Sequence, residues 1–151
     1  MVYLTTLALH SWIRWVVILI GLLAFARAVR GRGRAWTAAD DRVGFWFVML
    51  LDLQVLIGLV LYVWLSPTTH EAFRDVGVAM KSSGLRFWAV EHGFGMLVGL
   101  ALAHVGRVRI RKADASRRHK LAAIFFGLAL VAILASIPWP GMPNGRPLLR
   151  W

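Results

Sequence analysis

The chain has 151 residues, of which 59% are hydrophobic, and its mean hydropathy is +0.65. A soluble domain of this size would not carry so many apolar residues, so the composition indicates an integral membrane protein. The chain has no cysteine, which excludes disulfides, thiolate-bound metals, iron–sulfur clusters and covalent attachment of a c-type haem.

Four apolar stretches follow one another, at about residues 4–29, 43–65, 85–106 and 121–137. Each has roughly the ~20 residues that a helix needs to cross a hydrocarbon core of about 30 Å. Each must be helical, because lipid offers no partner to an unpaired backbone amide or carbonyl. The first stretch has no basic n-region and no small-residue cleavage site, so we expect it to be retained. The sequence therefore predicts an all-α integral membrane bundle of four transmembrane helices, in a single domain over residues 1–151.

The basic residues predict the orientation of this bundle. Five of them lie between spans one and two and seven between spans three and four, against five on the other side. By the positive-inside rule, both termini face outward, and the two basic loops face the cytoplasm. Topology and attraction to anionic lipid headgroups explain the net charge of +11 better than nucleic-acid binding does.

Two further stretches have recognisable local patterns. The outer loop between Pro67 and Gly84 has an amphipathic middle, which predicts a short helix lying at the membrane interface. The last 14 residues, "PWPGMPNGRPLLRW", contain four prolines and cannot continue a helix, so we expect them to cap the outer face. In span three, the small residues Gly95, Gly99 and Ala103 have the spacing that lets a second helix approach closely.

Ionisable side chains inside a membrane are costly and rare, so each one within the spans is a functional candidate. Six such residues occur: His10, Arg14, Asp52, Glu91, His92 and His104, with Gln54 and Tyr62 as neutral companions. From the helical rise, His10 and His92 both lie roughly 9 to 11 Å below the outer boundary. Arg14 and Asp52 are deeper, and His104 is near the cytoplasmic edge.

Two imidazoles on different helices at one depth are what a low-spin b-type haem requires. His10 and His92 are the candidate axial ligands, and Arg86 and Lys81 the candidate partners of the propionates. Glu91 is a candidate for orienting an imidazole or accepting a proton. A non-haem metal site of His10, His92 and Glu91 also fits the ligand chemistry, as does a purely structural use of these groups as interhelical hydrogen bonds.

Because Arg14 and Asp52 lie at similar depths, we predict an ion pair between them that joins spans one and two. Glu91 is the alternative partner of Arg14. Such a pair would either hold the two helices in register or take part in a proton relay.

Five segments carry a resemblance to a known family: "LALHSWIRWVVIL", "LDLQVLIGLVLY", "MKSSGLRFWAVEHGFGM", "AHVGRVRIRK" and "KLAAIFFGLALVAILASIPWPG" with the final "RPLLRW". The chain resembles, over nearly its whole length, small four-span bacterial membrane proteins of a Bacteroidota-like family usually labelled cytochrome B. The label implies a similarity to four-helix b-type cytochromes. In di-haem members of that group the position of His104 in "AHVGR" would suggest an inner haem ligand, but this chain has no inner partner histidine in its other spans.

The sequence thus predicts a protein that binds one haem b and passes electrons between a membrane quinol and an acceptor at the outer face. A quinone is a possible second cofactor. The first alternative is a non-catalytic accessory subunit of a larger respiratory or photosynthetic membrane complex. The second is transport of a metal ion or a proton along Arg14, Asp52, Glu91 and His104.

Overall fold

The computed structural model describes residues 1–142 and 144–149, and in this part of the chain the regular structure is entirely helical. Four long helical segments are long and apolar enough to cross a membrane: Val2–Arg30, Ala38–Leu65, Ser83–Lys112 and Ala115–Ala135. The prediction of an all-α bundle with four candidate transmembrane helices is therefore confirmed. Which end of the bundle faces outward stays a prediction.

Two of the four segments change their helical geometry near one end of the bundle. The helices are α1 (Val2–Arg30), α2 (Ala38–Val60), α3 (Pro67–Arg74), α4 (Val76–Lys81), α5 (Ser83–Arg86), α6 (His92–Lys112) and α7 (Ala115–Ala135). A π-helical turn, Leu61–Leu65, extends α2, and a second one, Phe87–Glu91, joins α5 to α6. Such turns are rare and frequently mark functional sites. The predicted helix in the loop after span two is present as α3, followed by the shorter α4 and α5.

The end of the bundle with the basic loops, called the inner end from here on, is held together by one buried carboxylate. Thr37 and Asp40 form a reciprocal capping box that starts α2 at Ala38. Asp40 is also bonded to Arg27 of α1 and Arg34 of the connecting turn, at 2.8 and 2.7 Å. The hydrogen bond to Asp40 raises the pKa of Arg34 above its usual value. The hairpin of α1 and α2 is therefore closed by charge as well as by its turn.

The four long helices form a ring in which each packs against two neighbours, in the order α1, α2, α6, α7. The core between them is filled by Phe47, Leu51, Ile110 and Phe126. The predicted close approach along α6 is present, and its partner is α7. A Cβ atom at Gly99 would lie 2.9 Å from Ile133, and one at Gly95 would overlap Ser136. Since α1 and α6 stand at opposite corners, side chains from these two helices meet only across the bundle axis.

The last helix stops short of the other three, and the tail after it fills part of the space that remains. α7 ends at Ala135, and the carbonyl of Leu148 accepts hydrogen bonds from Arg14 and from the indole of Trp15. The guanidinium of Arg146 lies over the ring of Trp88, 5.0 Å from its centre. The described part of the tail therefore covers the end of the bundle opposite the basic loops, called the outer end from here on. Residues 143, 150 and 151 of the expected cap lie outside the described part.

Candidate functional site

The histidine pair, His10 of α1 and His92 of α6, meets across the axis of the bundle near its outer end. The centres of the two imidazole rings are 6.4 Å apart, and the ring planes are inclined at 74°. The two residues were predicted to share a depth, and the structure brings them together. They come from helices at opposite corners of the ring, so the space between them is the centre of the bundle.

The short length of α7 orients the ring of His92. Because α7 ends at Ala135, the carbonyl of Ser136 is available, and it lies 2.8 Å from Nδ1 of His92. A carbonyl oxygen can only accept, so Nδ1 carries the ring hydrogen and Nε2 has the lone pair. Backbone carbonyls orient metal-binding histidines in this way in many proteins. The aromatic rings of Phe87 and Trp88 pack beside the imidazole.

A polar residue and a glycine of α2 hold His10. The side-chain amide nitrogen of Gln54 lies 2.9 Å from the carbonyl of His10 and 3.2 Å from its Nε2. A Cβ atom at position 58 would lie 3.1 Å from Cε1 of His10, so Gly58 provides the space that the ring occupies. Among the described residues, the buried Nδ1 of His10 and Oε1 of Gln54 have no hydrogen-bond partner. Buried polar atoms without partners are uncommon, and these two lie at one site.

Two adjoining cavities are lined by the histidine pair. The first, of about 110 Å³, lies under α3 and the tail. The second, of about 290 Å³, lies between α2 and α6 and has exposed apolar side chains at its rim, among them Leu59, Phe94 and Leu97. Together they approach the size of ordinary cofactor pockets, ~300–1,000 Å³. The second opens towards the surface that would face lipid.

The two π-helical turns are joined directly at this site. The hydroxyl of Tyr62, in the turn that ends α2, donates to the carbonyl of Ala89, in the turn that precedes α6, at 2.5 Å. A π turn shifts the backbone hydrogen bonds out of the regular α-helical pattern, and the Ala89 carbonyl accepts this bond within such a turn. Tyr62 also lines both cavities. The link fixes the two helices on either side of the opening.

Two arginines line the first cavity: Arg14 of α1 and Arg146 of the tail. Arg14 is bonded to the carbonyl of Leu148 and to Ser11, and its guanidinium lies over Trp15 at 5.2 Å. Arg146 lies over Trp88, beside His92. An anionic group in this cavity would therefore meet two fixed positive charges.

The cations that were predicted to face the site are elsewhere. Arg86 forms an ion pair with Glu91 at 2.7 Å, and both side chains are almost half exposed. Lys81, at the end of α4, is exposed and does not line either cavity. Glu91 consequently contacts neither a ring nitrogen of His92 nor Arg14. Glu91, the last residue of the π turn, is exposed, whereas His92, the next residue, lines both cavities.

The predicted ion pair between Arg14 and Asp52 is not formed. Asp52 accepts instead from Nε2 of His104, at 2.7 Å, in a contact between α2 and α6. Arg14, Glu91 and the pair of Asp52 and His104 thus lie in three separate places. Within the part of the chain that the structure describes, no cluster of three or more His, Asp or Glu side chains could hold a metal ion. The non-haem site of His10, His92 and Glu91 is therefore not assembled.

Three groups that form the site were not predicted from the sequence: the Ser136 carbonyl, Gly58 and Arg146. The first two act through the backbone or the lack of a side chain, so residue chemistry gives no signal for them. Arg146 is in the expected cap, and its basic charge was the one available signal. Comparison of the chain with family models, with curated proteins and with solved structures gives no match. The site is interpreted from its geometry alone.

Proposed function

We propose that this chain is a b-type cytochrome that binds one haem between His10 and His92 and passes electrons between a membrane quinol and an acceptor at the outer face. It would be a multi-pass protein of a bacterial inner membrane, with both termini outside. The observation that carries the proposal is the meeting of the two imidazoles across the bundle axis, 6.4 Å apart. Helix bundles commonly build cofactor sites from side chains on facing helices.

The spacing of the rings suits two axial ligands of one metal. A metal–imidazole bond is about 2.0–2.1 Å and a ring nitrogen lies ~1.2 Å from the ring centre, so two imidazoles on one metal would have centres about 6.4–6.6 Å apart. The observed 6.4 Å is within that range. Each ring also has one nitrogen with a lone pair, Nε2 of His92 and Nε2 of His10, and the His10 nitrogen accepts a hydrogen bond from the Gln54 amide that a metal would have to displace. A metal requires one such nitrogen from each ring.

The surroundings also fit the periphery of a haem. The walls of the two cavities are mostly apolar, as a porphyrin requires, and the second cavity gives an opening between α2 and α6. Arg14 and Arg146 line the first cavity and would meet the propionates there. They replace Arg86 and Lys81 in this role, because those two residues do not reach the cavities.

A bound haem supplies reversible one-electron chemistry at its iron. The residues of the chain fix how that chemistry is used. Ser136 holds the hydrogen of His92 at Nδ1, which leaves Nε2 as the ligating nitrogen. Gln54 and Gly58 set the position of His10. The tail, tied through Leu148 to Arg14 and Trp15, excludes water from the outer side.

The test is the visible spectrum of the detergent-purified protein in its oxidised and reduced forms, for the unmodified chain and for His10→Ala and His92→Ala. We expect a sharp reduced α-band of the b type, lost in both variants. His70→Ala is the matched control, since His70 is exposed and bonded to Val63 near α3. A variant at either His10 or His92 that keeps the full band would overturn the axial assignment. A colourless protein that co-purifies with larger membrane subunits would instead support the accessory-subunit function.

A further inference from the structure

A second polar site lies on the surface that would face lipid, between α2 and α6 and closer to the inner end. This is the inner pair, His104 and Asp52, joined by a 2.7 Å contact from Nε2 to Oδ1. The side chain of His104 is 50% exposed and that of Asp52 29% exposed. His104 is twelve residues from His92 on α6, which is ~18 Å along the helix. The inner pair therefore does not belong to the cavities of the histidine pair.

The contact defines what His104 presents to its surroundings. An ionised carboxylate can only accept, so Nε2 of His104 carries the ring hydrogen and Nδ1 has a lone pair. In the described part of the chain, Nδ1 has no hydrogen-bond partner. Asp52 holds the ring in this tautomer and would stabilise it if a proton arrived at Nδ1, as carboxylates do for imidazoles in catalytic sites.

The position of the inner pair is unusual for a membrane helix. Ionisable groups in transmembrane segments almost always face the bundle interior or a water-filled space, because exposure to hydrocarbon is costly. The large neighbours of the pair on these helices, Leu53, Leu56, Val105 and Val108, are all exposed and apolar. The basic loop begins about 5 Å further along α6, at Arg107, whose charge is already paired with Asp41 at 2.5 Å. An unpaired acceptor nitrogen thus lies at an apolar surface, just inside the predicted inner boundary.

We infer that the inner pair is a binding site for the hydroxyl group of a lipid-soluble hydroquinone, which donates a hydrogen bond to Nδ1 of His104 while Asp52 positions the ring. The inference names the site of the quinol that the proposed function requires, and to that extent it rests on that function.

The chemistry of the inner pair favours a hydroquinone over the phosphodiester groups of the bilayer. A phosphodiester brings only acceptor oxygens at neutral pH and would not complement a lone pair on Nδ1. The neighbouring side chains, Leu56 and Val105 among them, are exposed and apolar, so they favour a ligand that is apolar apart from its hydroxyl. A hydroquinone with an apolar ring and tail meets both conditions.

The test is photolabelling of the full-length protein in nanodiscs. The probe is a short-tailed benzohydroquinone with a diazirine in its tail, kept reduced by dithionite under argon, and labelled peptides are identified by mass spectrometry. We expect labelling of residues 49–60 of α2 and 97–108 of α6. Duroquinol should compete with the probe, whereas its dimethyl ether, which has no hydroxyl, should not.

Variants distinguish binding of the probe at the inner pair from its general partition into the bilayer. His104→Gln and Asp52→Asn are each expected to reduce labelling at these peptides about tenfold, as the loss of a charge-assisted hydrogen bond predicts. His70→Gln is the matched control and should label as the unmodified protein does. Both inner-pair variants should keep the elution volume and helical circular dichroism of the unmodified protein, which shows that they fold.

Three results would overturn the inference. The first is unchanged labelling in His104→Gln and Asp52→Asn, the second is equal competition by the dimethyl ether, and the third is protection of both peptides by a second copy of the chain in a stable dimer. The haem proposal has a separate readout. Labelling at the inner pair without a haem spectrum would leave this inference standing and remove the cytochrome function, and a haem spectrum without labelling would do the reverse.

Discussion

The two ends of the bundle differ in what their charged side chains and histidines contact, although Trp36 and His119 at the inner end also have buried nitrogens without a partner among the described residues. At the inner end, the carboxylates of Asp40 and Asp41 are paired with arginines from α1, the connecting turn and α6. At the outer end, Nδ1 of His10 is buried without a partner in the described residues, next to two cavities. Satisfied polar networks rigidify a fold, whereas buried groups without partners destabilise it until something binds them. The ion pairs assign stability to the inner end, and the two cavities make the outer end the candidate for ligand binding.

The largest expected effect on stability comes from the inner end. Asp40→Ala removes a side chain that is 1% exposed and leaves Arg27, Arg34 and the amide of Thr37 without their partner. We expect a loss of about 3 kcal/mol in the free energy of unfolding, as for a broken buried ion pair together with a helix cap. Unfolding of the detergent-solubilised protein by increasing SDS, followed by circular dichroism, measures it. Asp41→Ala, at a carboxylate that is 45% exposed, should cost about 1 kcal/mol or less. Equal losses at the two positions would contradict the account of the inner end.

A substitution at the outer end should weaken haem binding more than it lowers stability. Gly58→Val would place a side chain in the space of the His10 ring, since even a Cβ atom there would lie 3.1 Å from Cε1. The ring must then move, and we expect haem affinity to fall about tenfold or more while overpacking costs about 1–3 kcal/mol of stability. Titration with haemin, followed by absorbance, gives the affinity. Gly33→Val, in the inner turn, is the control for haem binding, although it will be strained because Gly33 has a φ of +91°. Unchanged haemin affinity in Gly58→Val would show that His10 is not a ligand.

The sequence predicts the four long helices better than it predicts the contacts between their side chains. Span lengths and hydropathy were sufficient for the four helices, because a membrane constrains length and hydrogen bonding so strongly. The shared depth of His10 and His92 also followed from the helical rise. The partners of Asp52 and Glu91 did not, because they depend on helix rotation. Glu91, at the end of the π turn, pairs with Arg86 at the surface, and Asp52 faces α6 rather than α1.

Two arginines at the outer end, Arg146 and Arg86, are expected to contribute unequally to haem binding. Arg146→Gln removes a charge that lines the first cavity and lies over Trp88, whereas Arg86→Gln removes one that is paired with Glu91 at the surface. We expect the first to weaken haemin binding by about 1 kcal/mol and the second to leave it unchanged. The same absorbance titration measures both. A larger loss in Arg86→Gln would restore the predicted role of Arg86 and count against the tail as part of the site.

The smallest effect is expected at the link between the two π turns. Tyr62→Phe removes the hydrogen bond to Ala89 and keeps the packing against Phe73. A loss of about 1 kcal/mol in stability is expected, with a small decrease in haemin affinity as the opening between α2 and α6 loosens. SDS unfolding and haemin titration measure the two effects. Tyr3→Phe is the comparison for stability, since Tyr3 lines the first cavity but lies outside both π turns, and an equal loss of stability there would mean that the π-turn link has no special role.

The central claim is that the outer end binds one haem, and the most direct measurement is a pyridine haemochrome assay on the purified, unmodified chain. The protein is assayed as isolated and again after incubation with haemin and removal of the excess. The account predicts one b-type haem per chain, with a reduced spectrum typical of two histidine ligands. A chain that is colourless as purified and still binds no haemin would contradict it, whatever the fold of the bundle.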